Sequence, residues 1–268
     1  MSRAAVALIV VGACALSVGC SDDSTPNPAP VVQTVVPNSV TRIHAALPKY
    51  RGVPFPTDTS PALAGPRKSI QEGRADKALN ELEALVPKDT TGEATFLMGW
   101  LHHEGQRFAL ALPYFEAALE TGPKYRNAHY AFFYYGRCLQ ETGDLAGARA
   151  AYEASSELLP DQAAALFRLA LLDMEAGDLA LCESRARAAL ELFERPRDVA
   201  KTHALLADIH LARDEPELAR DALLLCVETF PHYEVFYRLS RLSSRLGEDE
   251  DAARYLEQHR IWRARAGR

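Results

Sequence analysis

The chain has 268 residues, 48% of them hydrophobic and 25% charged, a balance that excludes a wholly disordered chain and a protein of many membrane spans. Its 36 acidic and 30 basic side chains leave a formal charge of −6, which repels phosphate backbones and argues against nucleic acid as a partner.

The first twenty residues read MSRAAVALIVVGACALSVGC. One basic residue, Arg3, precedes 16 uncharged residues from Ala4 to Gly19. A spanning helix takes about 20 residues, so this run fits the apolar core of a secretory signal instead. Its end, Leu16-Ser17-Val18-Gly19-Cys20, resembles a bacterial lipoprotein signal, in which small residues precede a cysteine. The resemblance implies that residues 1–19 are removed and that Cys20 becomes the lipidated first residue. The sequence departs from the family pattern at Ser17, where Leu is usual. Cys14 is a second candidate, but apolar Ala15 to Gly19 would then open the mature chain. Ser21, in place of the Asp of inner-membrane lipoproteins, favours the outer membrane, facing the periplasm or the cell surface. A plain secretory signal, giving a soluble periplasmic or secreted protein, is the alternative. One acyl chain holds a membrane only marginally, whereas two or more make a stable anchor.

Residues 20–61 are expected to form a largely disordered, proline-rich tether. Eight prolines lie between Pro26 and Pro61, and no helix runs through that spacing. The opening SDDSTPNPAP is polar and lacks core-forming residues. About 40 residues in an extended proline-rich form reach roughly 120 Å at most. The stretch from Tyr50 to Pro56 is more apolar, and reads as a strap against the folded part or as a short binding motif.

Beyond Gly92 the chain repeats. Units begin near Gly92, His129, Ala163, Ala200 and Tyr233, a period of about 34 residues with small insertions. The eighth residue of each unit is small: Gly99, Gly136, Ala170, Ala207 and Ser240. So is the twentieth: Ala111, Ala148, Cys182, Ala219 and Ala252. Two helices that cross closely need small side chains at the crossing. Apolar residues at positions seven, ten and twenty-four complete a helical pattern in each half. Gly105, Gly143, Gly177 and Gly247 mark the turns between the halves, with Asp214-Glu215-Pro216 as the exception. Thr90 and Glu93 have the spacing of a capping box. Upstream, residues 62–91 read as a degenerate helix pair, with Ala78 at the small position and Pro66 shortening its first helix.

These features resemble the tetratricopeptide repeat, a helix–turn–helix unit of 34 residues. The best-matching unit, 129–162, carries Phe132, Tyr135-Gly136, Leu139, Gly143-Asp144, Ala148, Tyr152, Ser155 and Pro160. The resemblance implies an all-α, right-handed solenoid over residues 92–268 of about five repeats, because a single unit cannot bury its own apolar face. The large aromatic usual at position eleven is missing: His102, Leu139, Asp173, His210 and Ser243 stand there, so packing must differ locally. Arg254, Glu257, His259 and Arg260 give the last helix the polar outer face of a cap.

The resemblance also implies that each first helix lines a concave face. That assigns partner binding to Phe96, Trp100 and His103 in the first unit, and to Tyr130, Phe133, Tyr134 and Arg137 in the second. Phe167, Arg168 and Leu171 follow in the third unit, and Tyr237, Arg238 and Arg241 in the last. Aromatic side chains mixed with arginine are typical of interaction hot spots, and suit a peptide with apolar and acidic side chains. The family's clamp for a free C-terminal carboxylate uses Lys and Asn at positions five and nine. Phe96 and Trp100, then Phe133 and Arg137, occupy those places, which argues against that mode.

No chemistry accompanies this face. Cys138, Cys182 and Cys226 form no C-x-x-C pair, and read as buried free thiols. His102-His103 are adjacent and point to different helix faces, and H-E-x-x-H is absent. No phosphate loop or nucleophile elbow is present, so no cofactor, metal or small-molecule substrate is expected. The sequence therefore reads as a non-enzymatic adaptor of the bacterial cell envelope that holds a peptide or protein. An accessory subunit of an envelope enzyme or assembly system, with the chemistry on a partner chain, is the second reading. Replacing Cys20 with Ala should move the protein from the membrane to the soluble envelope fraction; unchanged membrane retention on fractionation would sink the lipid anchor.

Overall fold

The computed structural model describes residues 38–54, 56–126 and 128–267; the expected signal, Cys20 and the first part of the tether lie outside them. All regular structure among the described residues is helical. Helices α1 (Asn38–Ala46), α2 (Ala64–Gln71) and α3 (Ala75–Glu83) come first. Five pairs follow: α4 (Glu93–Glu104) with α5 (Phe108–Thr121), α6 (Tyr130–Glu141) with α7 (Leu145–Leu158), and α8 (Ala163–Ala176) with α9 (Leu179–Leu192). The last two pairs are α10 (Pro196–Ala212) with α11 (Pro216–Thr229), and α12 (Tyr233–Leu246) with α13 (Asp249–Ala266). Each first helix packs on its own second helix, and each second helix packs on the next pair, so the layers stack as an all-α solenoid.

The turn inside each pair is built the same way. Position fifteen is left-handed in all five units, at Gln106, Gly143, Gly177, Asp214 and Gly247. The N–H of the next residue then bonds the carbonyl of position eleven: Arg107 to His102, Asp144 to Leu139, Asp178 to Asp173, Glu215 to His210 and Glu248 to Ser243, at 2.8–2.9 Å. These are Schellman turns, which satisfy the last carbonyls of the helix. The first one corrects the sequence reading. Gly105 has a φ of −77°, and Gln106 takes the strained place instead. The α2–α3 pair repeats the motif, with Gly73 left-handed and Arg74 bonded to Ser69 at 2.8 Å.

The small residues at positions eight and twenty are buried in every unit. A Cβ on Gly136 would lie 2.9 Å from the Tyr152 ring, and one on Gly99 would lie 3.1 Å from Phe115. Position twenty-four therefore covaries with position eight. Glycine faces an aromatic ring in the first two units, whereas Ala170, Ala207 and Ser240 go with Ala186, Leu223 and Leu256. Dense interiors demand this exchange of volume. Ser240 keeps its hydroxyl satisfied across the crossing, donating to the Ala252 carbonyl at 2.8 Å.

The junctions between units are closed individually. Asp173, 1% exposed at position eleven of its unit, lies between Arg149 of α7 and Arg185 of α9, each at 2.6 Å. Arg213 bonds Glu183, and Arg220 bonds Glu248, across the next two junctions. The last helix carries Trp262 onto the Phe236 ring, 6.2 Å between centroids, and covers the open end.

Two readings fail. Thr90 and Glu93 form no capping box. Gly92 is left-handed at the start of α4, and the Asp89 carboxylate accepts the N–H groups of Thr91, Gly92 and Thr95. Glu93 turns away to Arg67 and the Ser60 N–H. The expected tether is also not extended over its second part. Pro37 and Pro48 are far enough apart for α1 to form between them, and a 3-10 turn, Leu47–Lys49, follows. Helix α1 docks across α5 and α7 on the outer side. Ile43 and Tyr50 are buried, and the Tyr50 ring meets Phe132 edge-on at 5.0 Å. Arg42 pairs with Glu116, Arg51 with Glu157, and Ser39 with Asp144. Ser39 lies where a side chain on Gly147 would stand, so that glycine is the seat of the strap.

The buried apolar residues form two clusters. One runs from Ile43 to Leu172, and the other from Ala170 to Tyr255, so the seam between them lies in α8.

Three expectations follow from these contacts. Gly136→Leu should overpack the crossing and cost roughly 1–3 kcal/mol, read as a lower Tm. Asp173→Ala leaves two arginines without their carboxylate and should cost about 3 kcal/mol in denaturant titration. Gln106→Gly relieves a left-handed non-glycine residue and should stabilise by up to about 1 kcal/mol.

Candidate interaction face

The site is built from the inner sides of successive first helices. Between α2, α4 and α6 lies a cleft of about 290 Å³. Arg67, Ile70 and Gln71 of α2 form one wall, and Trp100, Tyr130 and Tyr134 form the other. Tyr134 is the hub beneath it. Its ring stacks on Phe115 at 6.1 Å and meets Phe96, Phe133 and His103 edge-on at 6.1, 5.5 and 5.2 Å. Such ring pairs add about 0.5–1.5 kcal/mol each beyond area burial, so the wall is rigid before any ligand arrives.

The structure sorts the sequence-derived residues into three groups. Phe96 and His103 are buried, at 4% exposure each, and serve as core, not as an open surface. Phe96 is enclosed by Phe115, Tyr125 and Tyr134, and His103 by Phe108 and Tyr134. Trp100, Phe133, Tyr134, Arg137, Phe167, Arg168, Leu171 and Arg238 are half-buried. Tyr130, Tyr237 and Arg241 are exposed, Tyr130 to 38% and Tyr237 to 46%. Phe167 leans on Phe193, and Tyr237 lies against the His259 ring at 5.4 Å. The first three units thus supply an aromatic wall, whereas the last supplies Tyr237 beside arginines.

Sequence reasoning missed Arg67 and Ile70. Extending the register upstream by 33 residues would have found them, since they then occupy the inner positions nine and twelve of the degenerate unit. Arg67 itself is held by Glu93, so it supplies the stem of its side chain to the cleft more than a free charge.

Arg137 and Arg168 differ from the ion-paired Arg67 and Arg238. Neither has an ion pair or hydrogen bond among the described residues, and Arg137 Nε is shielded from solvent without a partner. Burial first, and then the charge of Arg137, hold His103 below the usual histidine range; Glu104 opposes them. Burial also lowers His102, His129 and His203. Burial pushes the Cys138 thiol up to about 12 and Cys182 to about 11, and it raises Cys226. All three are free and buried, so they pack and do not react. His102 stacks on Tyr114 while His103 faces Tyr134, so the adjacent histidines do not converge. Among the described residues no three His, Cys, Asp or Glu side chains are placed to hold a metal, and no helix is long and apolar enough to cross a membrane.

The comparisons with known proteins bear on this geometry. A tetratricopeptide repeat family model matches residues 70–126 and 99–163. Residues 70–163 are thus similar to tetratricopeptide repeats. Solved structures extend the same fold over more of the chain. BtubC (BKLC) from P. vanneervenii is 16% identical with a TM-score of 0.60, over 78% of this chain and 93% of that one. A tetratricopeptide repeat protein from Parabacteroides merdae is 16% identical with a TM-score of 0.60, over 75% and 78%. YrrB, a tetratricopeptide repeat protein with an unusual peptide-binding site, is 18% identical with a TM-score of 0.55, over 66% and 89%. No curated protein matches the sequence. The family resemblance implies that the first helices of the units line the inner face, and the Trp100 cleft and the unpaired Arg137 and Arg168 stand on those helices.

The histidines set a pH dependence. A histidine whose folded pKa is lowered binds fewer protons folded than unfolded, so stability falls as pH drops below the unfolded value of roughly 6.5. Tm should therefore decline from pH 7 to pH 5, and His103→Phe should flatten part of that decline. An unchanged slope in the variant would place the titration elsewhere.

Proposed function

We propose that the protein is a non-enzymatic scaffold that binds a peptide or protein segment along the inner face of its repeats. The observation that carries this reading is the cleft bounded by Trp100, Tyr130 and Tyr134, with unpaired Arg137 nearby. A preformed aromatic wall costs little entropy to use, and an arginine without a carboxylate is a ready partner for one. The peptide-binding site of the similarly folded YrrB is a precedent for the class. The bacterial cell envelope as the place of action rests on residues 1–20, with Cys20 as the lipid anchor at the outer membrane. In that reading the partner is another envelope protein.

A crosslinking pull-down from the native envelope tests this. Tyr130→Ser with Arg137→Glu changes an exposed ring and an unpaired charge, so the fold should survive, as circular dichroism and Tm would verify. The wild type should capture a partner that the double variant loses by about tenfold or more, an effect of at least about 1.4 kcal/mol. Equal capture by both would move the site off the inner face.

A further inference from the structure

The second half of the array carries a different inner surface. Two cavities, of about 280 and 380 Å³, open between α10 and α12, and Arg238 lines both. Their charged lining consists of Arg197, Lys201, Arg238, Arg241 and Arg245 against Asp208 and Glu234. Five cations line the trough against two carboxylates, and even with Asp198 and Asp214 reaching in from beside it the cations outnumber the carboxylates, in a chain whose net charge is −6. Arg238, Arg241 and Arg245 lie at i, i+3 and i+7 on one helix face, which spreads them over roughly 10 Å at 1.5 Å per residue. Arg197 and Lys201 extend the row from the neighbouring helix.

The bonding within the trough is uneven. Arg238 is held by Asp208, Arg245 by Asp214, and Lys201 by Asp198 at 3.5 Å. Arg197 and Arg241 have no ion pair or hydrogen bond among the described residues. Beneath them the floor is apolar, formed by Ala204, Leu211, Leu223 and Leu242. A basic rim over an apolar floor matches a ligand with carboxylates at intervals and an aliphatic side chain between them. One small anion would meet only a part of so long a row, whereas an extended or helical peptide would span it. Guanidinium groups take carboxylates in bidentate pairs, which fixes the register of such a peptide.

We infer that this trough receives an acidic peptide segment, rich in Asp or Glu with interspersed aliphatic residues, from a protein partner. The inference rests on the inner face being the binding face and gives that partner its chemistry. The aromatic cleft and the basic trough then grip different stretches of the segment.

A random-peptide phage library, selected against the full chain, tests it. The selected sequences should be enriched in Asp and Glu relative to the input. A synthetic copy of a selected peptide should weaken by at least about tenfold when its carboxylates become amides, because the guanidinium groups then lose their charged partners. Arg197→Glu with Arg241→Glu should abolish the acidic enrichment; both residues are exposed and unpaired, so folding is retained and Tm verifies it. Selection of sequences no more acidic than the input, or no enrichment at all, would overturn the inference. So would acidic enrichment that survives the charge reversal. Apolar, non-acidic sequences lost only with Tyr130→Ser would sink the acidic trough and leave the inner-face reading standing.

Discussion

The fold depends on a small side chain, or none, at one crossing per repeat. Where Gly136 and Gly99 stand, no Cβ intervenes, and the aromatic rings of Tyr152 and Phe115 fill the space from the second helix. Where position eight gains a methyl or a hydroxyl, position twenty-four gives up its ring. Volume at the crossing is therefore exchanged between the two helices. A close crossing is what lets each pair bury its apolar faces and stack on the next. The turn at position fifteen serves the same end, because it closes with the same left-handed residue and the same hydrogen bond in every unit, even where Gln106 and Asp214 must adopt a glycine-like backbone.

That common frame leaves the inner and outer faces free to differ along the array. Inside, the aromatic wall around Tyr134 gives way to arginines over aliphatic side chains between α10 and α12. Outside, the first junction is covered by α1 and the second is tied by Asp173 between two arginines. A buried carboxylate with two cationic partners is costly to desolvate and severe to break, so it fixes the mutual placement of α7, α8 and α9 more than it adds net stability.

The repeat register was legible because it is written in volume. Ten small residues at two positions can be counted without any coordinates. Helix α1 was hidden for the opposite reason. Its neighbours Pro37 and Pro48 suggested extended chain, and its docking site is Gly147, a glycine whose meaning appears only when Ser39 arrives 108 residues earlier in the chain. The inner face was half legible. Family geometry selects positions that face inward, but it cannot say how crowded they are. Phe96 and His103 face inward and are buried because the neighbouring α6 brings Tyr134 against both. Arg67 and Ile70 are hidden in the sequence because Pro66 interrupts the helical pattern, although the register runs on through it.

The seam in α8 has a bearing on cooperativity. Leu169 and Leu172 belong to the first apolar cluster, while Ala170 belongs to the second, so one helix is shared by two cores. In a linear array each unit is stabilised only by its neighbours, and a weak boundary divides the array into blocks that open separately. The clamp at Asp173 is the main polar tie at that boundary. A segment lying along both the aromatic cleft and the basic trough would cross the seam. It would bind only the assembled array, and its free energy of binding would add to the free energy of separating the two blocks. Occupancy of the inner face and the integrity of the array would then be one linked equilibrium.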